Sequence, residues 1–301
     1  MTQNNLRNII ARAARTVITN ERADISDDDS RYMNTVTEEI DVPETLEEPV
    51  ISDPEGYSPI IRDDMHVETA RFSSASWFEK IGEQSIVIGG QGGISSWFTF
   101  LVAKMFPRSI FTYDFDRVER VNLAGQLFSV NDVGSYKGEA LVRTIWNYCD
   151  YRSVYSVTEA FTPISSAAKI MACGFDNMEA RKTFYTAWKS LVASLPNEED
   201  KKTCLFIDGR LAAESLQIFA IIGDAQWDME KYEREYLFDD NQADETVCSY
   251  KQTAFVANII AGMMANILVN HCANLCGGCR TIPFYTQYEA DQMYLKLEGG
   301  V

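Results

Sequence analysis

The spacing of apolar residues changes character twice along the chain. Over residues 4–19, Leu6, Ile9, Ile10, Ala13 and Val17 recur at helical spacing, with Arg7, Arg12 and Arg15 on the other faces. That pattern predicts a short basic amphipathic helix, serving either as a docking peptide or as a prop against its own domain or a twin subunit. Residues 23–59 lose all periodicity. They contain "DISDDDS" and Pro43, Pro49, Pro54 and Pro59, and read as an acidic tether with little to bury. From about residue 71, short apolar runs alternate with helical periodicity. Strands are predicted near 85–89, 109–114, 154–161, 169–175, 203–208 and 215–223, and helices near 95–105, 136–149, 178–194 and 253–271. This alternation predicts an α/β fold: a Rossmann-like, doubly wound, mainly parallel sheet with helices on both faces. The acidic, aromatic stretch 224–247 is expected to be a surface excursion. The chain thus divides into 1–70, helix plus tether, and 71–301, one folded domain without internal repeats.

Composition narrows the classes. With 301 residues and 46% hydrophobic content the chain can bury a full core. A formal charge of −17 argues against nucleic acid or an anionic membrane as partner. The longest apolar run, 255–269, is short for a bilayer span and is interrupted by Asn258 and Asn266. No secretory signal pattern is visible, and seven irregularly spaced cysteines suggest free thiols, so a cytoplasmic protein is expected.

The chemistry begins at "IGGQGGISSWFTF", residues 88–100. An apolar strand leads into Gly90-Gln91-Gly92-Gly93-Ile94-Ser95, nearly G-x-G-x-x-G with serine in the third glycine position, and Ser95 or Ser96 is expected to cap the following helix. A strand, a glycine turn and a helix N-terminus cradle nucleotide phosphates. The next strand ends in Asp114 and Asp116. An acid about 20 residues past the turn suits ribose hydroxyls, or else caps its own loop.

Further motifs follow in order: Asp-x-Asp-x-Val-Glu-x-x-Asn-Leu-x-x-Gln from Asp114 to Gln126, Asp132-Val133-Gly134-Ser135-Tyr136-Lys137, and Asp176-Asn177-x-x-x-Arg181. Together with the glycine turn, this set resembles the ThiF/MoeB and ubiquitin-activating-enzyme superfamily over about residues 71–290. The resemblance implies a homodimer that binds ATP and Mg²⁺ through this domain. It further implies adenylation of the C-terminal carboxylate of a ubiquitin-like or sulfur-carrier protein. Carried over residue by residue, Gly90, Gly92 and Gly93 match the phosphate turn and Asp114 the ribose acid, with Asp116 beside it. Asn122 and Gln126 match polar residues near the phosphates, Lys137 the phosphate lysine, and Asp176 the magnesium-holding aspartate. Asp176 also sits where a helix cap is needed. The chain departs from the family pattern at two arginines: Gly125 stands before Gln126, and Ser74 replaces the second arginine of the upstream stretch, where Arg71 is kept. Arg117, Arg120 and Arg181 are the nearby alternatives, Arg181 being equally suited to a solvated helix surface.

Cys248 precedes the long apolar helix, where thioester-forming relatives carry their nucleophile; it is either that nucleophile or an ordinary half-buried thiol. Cys272-x-x-x-Cys276-x-x-Cys279 is part of a zinc pattern whose second Cys-x-x-Cys pair is missing, so Cys248 or His271 would have to complete it. Cys149, Cys173 and Cys204 lie in apolar segments and are expected in the core.

Overall fold

The computed structural model describes residues 68–238 and 253–299. The expected helix over 4–19, the acidic tether and Cys248 lie outside them. Eight strands form one sheet: β1 (Ser85–Gly89), β2 (Ser109–Tyr113), β3 (Val154–Val157), β4 (Ile170–Cys173), β5 (Leu205–Ala212), β6 (Ser215–Ile222), β7 (Tyr285–Glu289) and β8 (Tyr294–Glu298). Their order is β3-β2-β1-β4-β5-β6-β7-β8. The first five in that order run parallel, and β6, β7 and β8 continue the sheet antiparallel. The parallel strands are nearly continuous apolar runs such as "SIVIG" and "IMAC", as a sheet covered on both faces requires.

Among the described residues, seven α-helices accompany the sheet: α1 (Ser76–Gly82), α2 (Gly93–Ala103), α3 (Lys137–Cys149), α4 (Met178–Ala193), α5 (Glu198–Lys202), α6 (Gln226–Glu235) and α7 (Ala254–Leu275). Each face of the sheet has its own core. Ile86, Ile88, Ile207 and Ile218 pack with Phe98 of α2, Leu141 and Ile145 of α3 and Ile260, Met264 and Leu268 of α7. On the other face Val87, Phe111, Phe206 and Phe219 pack with Phe184, Tyr185 and Trp188 of α4 and Tyr232 of α6. The first core is mostly aliphatic and the second mostly aromatic.

Two expectations change here. The stretch 224–247 is not wholly an excursion, because α6 folds within it and buries Met229 and Tyr232. The apolar run 255–269 belongs to a longer helix. The 22-residue α7 is long and apolar enough to cross a membrane, with a mean hydropathy of 1.5, but half of its most apolar stretch is buried inside the protein. It packs against α1, α2, β5 and β6.

The topology positions the site. The chain runs outward from β1 through β2 to β3, then returns to β4 on the opposite side of β1. That reversal opens a crevice at the carboxyl ends of the parallel strands, where such sheets bind ligands. Register aligns Tyr113, Gly89, Cys173 and Asp208 along that edge. Asp114, Gly90, Gly174 and Gly209 are the next residues outward.

Candidate functional site

The glycine turn is shaped by two close approaches. Gly90 has φ +73°, and a Cβ on it would lie 3.1 Å from the Gly174 carbonyl oxygen, so only glycine fits without strain. Its N–H donates to the Tyr113 carbonyl at 2.9 Å. Gly92 is the N-cap of α2, and no side chain caps the helix. The expected serine cap is therefore corrected. Because Gly92-Gly93 turns directly into the helix, Ser95 and Ser96 are buried within its first turns. Ser95 Oγ donates to the Gly89 carbonyl at 3.4 Å, and Ser96 Oγ accepts the Leu127 N–H at 3.1 Å. The uncapped N–H groups at the start of α2 retain the partial positive charge that favours an anion.

Asp114 is buried and bonded to the turn itself. Its Oδ2 accepts the Gln91 N–H at 2.5 Å and its Oδ1 accepts the Asp116 N–H at 2.7 Å. Burial pushes its carboxyl above the usual carboxylate range, opposed by those two N–H groups and by the Lys137 cation. Lys137, the first residue of α3, is itself buried and ion-paired to Asp116 Oδ2 at 2.8 Å, whose carboxylate is half-exposed. The turn, Asp114, Asp116 and Lys137 are thus one hydrogen-bonded unit.

The segment after Asp116 folds back over α2. Asn122 lies in a 3-10 turn, Arg120–Ala124, where its Oδ1 accepts the Glu119 N–H at 2.8 Å. The Gly125 carbonyl accepts from Trp97 Nε1 at 3.1 Å. Gln126 is buried and its Oε1 lacks a hydrogen-bond partner, as does Nε2 of the fully buried Gln91. Two buried amide atoms without partners beside a glycine turn fit a polar ligand that completes them. Arg117 is already engaged: it donates to the Gly134 carbonyl at 2.7 Å and stacks 3.9 Å above the Tyr136 ring.

On the other wall, Asp176 lies just past β4. The cap of α4 is Asn177, whose Oδ1 accepts the Ala180 N–H at 2.8 Å, so the alternative of Asp176 as cap is removed. Asp176 is exposed. The expectation of a solvated Arg181 is corrected. Arg181 is buried, ion-paired to Asp208, and donates to the Phe175 carbonyl. Asp208 is fully buried and also accepts from Arg210 Nε and the Tyr232 hydroxyl, each at 2.8 Å. A buried carboxylate survives in an apolar core only when its oxygens are paired in this way. This cluster escaped the sequence reading. Its signal was an acid and a base two residues apart in an apolar strand, and so on one face.

The cysteine expectations divide. Cys149, Cys173 and Cys204 are buried, and burial pushes the Cys173 thiol up to about 12 and Cys204 up to about 11. Cys272 is buried while Cys276 and Cys279 are exposed. Among the described residues no three His, Cys, Asp or Glu side chains gather into a metal-binding group, so these three cysteines are not brought together. The physical reason is helical geometry: Cys272 faces inward on α7, whereas the other two lie beyond its end. His271 is buried too, and burial pushes its imidazole down to about 4.

Comparisons with known proteins place this geometry. Among solved structures, PaaA matches 82% of this chain and 86% of its own at 15% identity, with a TM-score of 0.60. E. coli MccB with ATP matches 74% of this chain and 66% of its own at 16% identity, with a TM-score of 0.54. E. coli tRNA N6-threonylcarbamoyladenosine dehydratase, TcdA, matches 72% of this chain and 99% of its own at 15% identity, with a TM-score of 0.55. The chain therefore spans slightly less than two thirds of MccB, and at these identities the likeness is one of fold. No curated protein matches the sequence. The ThiF family model matches residues 65–296, most of the chain, and the chain belongs to the ThiF family.

Proposed function

We propose that this protein binds ATP with Mg²⁺ at the carboxyl edge of its sheet and adenylates a carboxylate on a partner polypeptide. The favoured partner is the C-terminal carboxylate of a ubiquitin-like or sulfur-carrier protein. The observation that carries the reading is the single hydrogen-bonded unit of the glycine turn, Asp114, Asp116 and Lys137. It sets a phosphate cradle, a ribose acceptor and a cation side by side. Support also comes from MccB, whose solved structures include one with ATP and one with MccA.

In this reaction a carboxylate oxygen attacks the α-phosphorus, the bond to the bridging oxygen breaks, and pyrophosphate leaves with that electron pair. Lys137 neutralises phosphate charge, which requires it to exchange Asp116 for the more densely charged triphosphate. Asp116, the half-exposed partner, can turn to water when the pair opens, whereas the buried Lys137 depends on the incoming phosphate to stay paired. Asp176 is the residue to hold Mg²⁺, which would supply further charge neutralisation in the crevice.

The test is ATP–pyrophosphate exchange with candidate carrier proteins. Wild type is expected to exchange, and Lys137→Ala and Asp176→Ala to lower exchange at least about a hundredfold, the range for removing one oxyanion-stabilising group. Cys248→Ala is expected to leave exchange intact and abolish only a thioester, since adenylation precedes transfer to sulfur.

A second reading, a nucleotide- or partner-binding module without chemistry, is favoured by one specific observation. The position before Gln126 is Gly125, whose carbonyl is taken by Trp97, while Arg117 and Arg181 are both bonded elsewhere. ATP binding without exchange, for any carrier, selects this second reading.

A further inference from the structure

The loop between β4 and α4, residues 174–177, is held at three points. Gly174 donates its N–H to the Gly89 carbonyl at 3.0 Å, and a Cβ on it would lie 2.2 Å from Ser95 Oγ, so it is pressed against the start of α2. The Phe175 carbonyl accepts from Arg181, and the Phe175 ring occupies the space a Cβ on Gly89 would need. The Asn177 side chain closes the first turn of α4. Asp176 is the one residue of the four with an exposed carboxylate flanked by pinned backbone on both sides.

Arg181 is not a general surface cation. It is 6% exposed, and its Nη1 is committed to Asp208, which is 0% exposed and fixed in turn by Arg210 and Tyr232. The guanidinium therefore reaches the Phe175 carbonyl from an anchor that does not depend on the loop. The register pairing Cys173 with Asp208 puts that anchor beside the strand end from which the loop departs.

We propose that Arg181, locked by Asp208, is a positioning residue that sets where the Asp176 carboxylate stands relative to the glycine turn, and that it acts on Mg²⁺ binding without touching nucleotide. The inference rests on the reading of Asp176 as the magnesium-holding residue. Because one planar side chain bridges Asp208 and the Phe175 carbonyl, a shorter or single-headed replacement cannot hold both at once. The loop then loses the pin directly before Asp176 and keeps the other two.

The experiment measures ATP affinity by calorimetry with Mg²⁺ and with EDTA, so that the Mg²⁺-dependent increment is read separately from nucleotide contact. Amide hydrogen exchange over residues 174–177 is followed in the same proteins. Two variants are used. Arg181→Lys keeps the charge and loses the fork. Arg181→Gln/Asp208→Asn removes the ion pair as a unit, so that no buried charge is left unpaired. Both are expected to keep the EDTA affinity of wild type, to lose about tenfold of the Mg²⁺ increment, a usual size for coupling between sites, and to exchange faster at 174–177. A folded variant that retains the wild-type increment, or exchanges as wild type does over 174–177, overturns the proposal. A wild type with no Mg²⁺ increment overturns the magnesium reading beneath it, and this proposal with it; an increment present in wild type and kept in both variants overturns this one alone.

Discussion

Replacing Asp114, the proposed ribose acid, tests whether it also builds the turn. Asp114→Ala removes an acceptor from two backbone N–H groups, those of Gln91 and Asp116. Hydrogen bonds to a charged group are worth about 1.5–3 kcal/mol each. Part of that gain is offset in wild type by the burial that pushes the carboxyl up. The variant recovers this burial cost but leaves the buried Gln91 N–H without an acceptor, a penalty of about 1–3 kcal/mol. The net destabilisation expected is about 2 kcal/mol, which lowers Tm by roughly 4–8 °C in a domain of this size. Asp114→Asn keeps one acceptor oxygen and should lose about half as much. Calorimetry should show ATP binding weakened at least about tenfold in the alanine variant, or about 1.4 kcal/mol. An Asp114→Ala protein that melts with wild type refutes the role in the turn. One that binds ATP with unchanged affinity refutes the ribose assignment.

Other consequences can be checked as directly. Burial lowers His271 from its ordinary 6.5 to about 4, so the unfolded chain takes up a proton between those values and the folded chain does not. Stability is therefore full above pH 6.5 and falls as pH drops toward 4, by about 3 kcal/mol in all. His271→Leu should flatten that part of a Tm-against-pH curve, and an unchanged slope would show that the buried imidazole is not its source. Gly174→Ala sets a methyl group 2.2 Å from Ser95 Oγ and should cost about 1–3 kcal/mol, most of it recovered in Gly174→Ala/Ser95→Ala; a double variant no better than the single would place the strain elsewhere. Light scattering is expected to give twice the 34.0 kDa chain mass at micromolar concentration, because α7 leaves Phe255 53% exposed with Ile259 and Met263 only partly covered. A 34 kDa particle would exclude the dimer.

The parallel half of the sheet was legible because its central strands β1, β2 and β4 are nearly continuous apolar runs bounded by turn residues, and the helices between them carry clear periodicity. The antiparallel half was read only through β6. Strands β7 and β8, "YTQYE" and "YLKLE", mix polar with apolar residues, and β8 is exposed over most of its length, so neither shows the buried run that marked β1 and β4. Helix α6 escaped because its sequence is mostly charged and buries little beyond Met229 and Tyr232. At the candidate site, the ordered motifs marked the turn, Asp114, Asp116 and Lys137, which the fold brings together, but spacing alone could not say that Lys137 pairs with Asp116 or that Arg181 turns inward. Both follow from long-range contacts, of the loop after β2 with α3 and of β5 with α4, which a local pattern does not encode.

The division of the interior into an aliphatic and an aromatic face has a mechanical consequence. Rings are flat, stiff plates with few rotamers, and the layer around Phe184, Trp188, Phe206 and Tyr232 interlocks them edge to face and at a tilt. That layer carries the wall of the crevice bearing Asp176. The opposite wall, α2 with its glycine turn, rests mainly on smaller aliphatic side chains, Ile, Leu, Val and Met. Truncating one of these rings to alanine leaves a larger void than truncating an aliphatic side chain on the other face, so the wall bearing Asp176 should be the more sensitive of the two to core substitution.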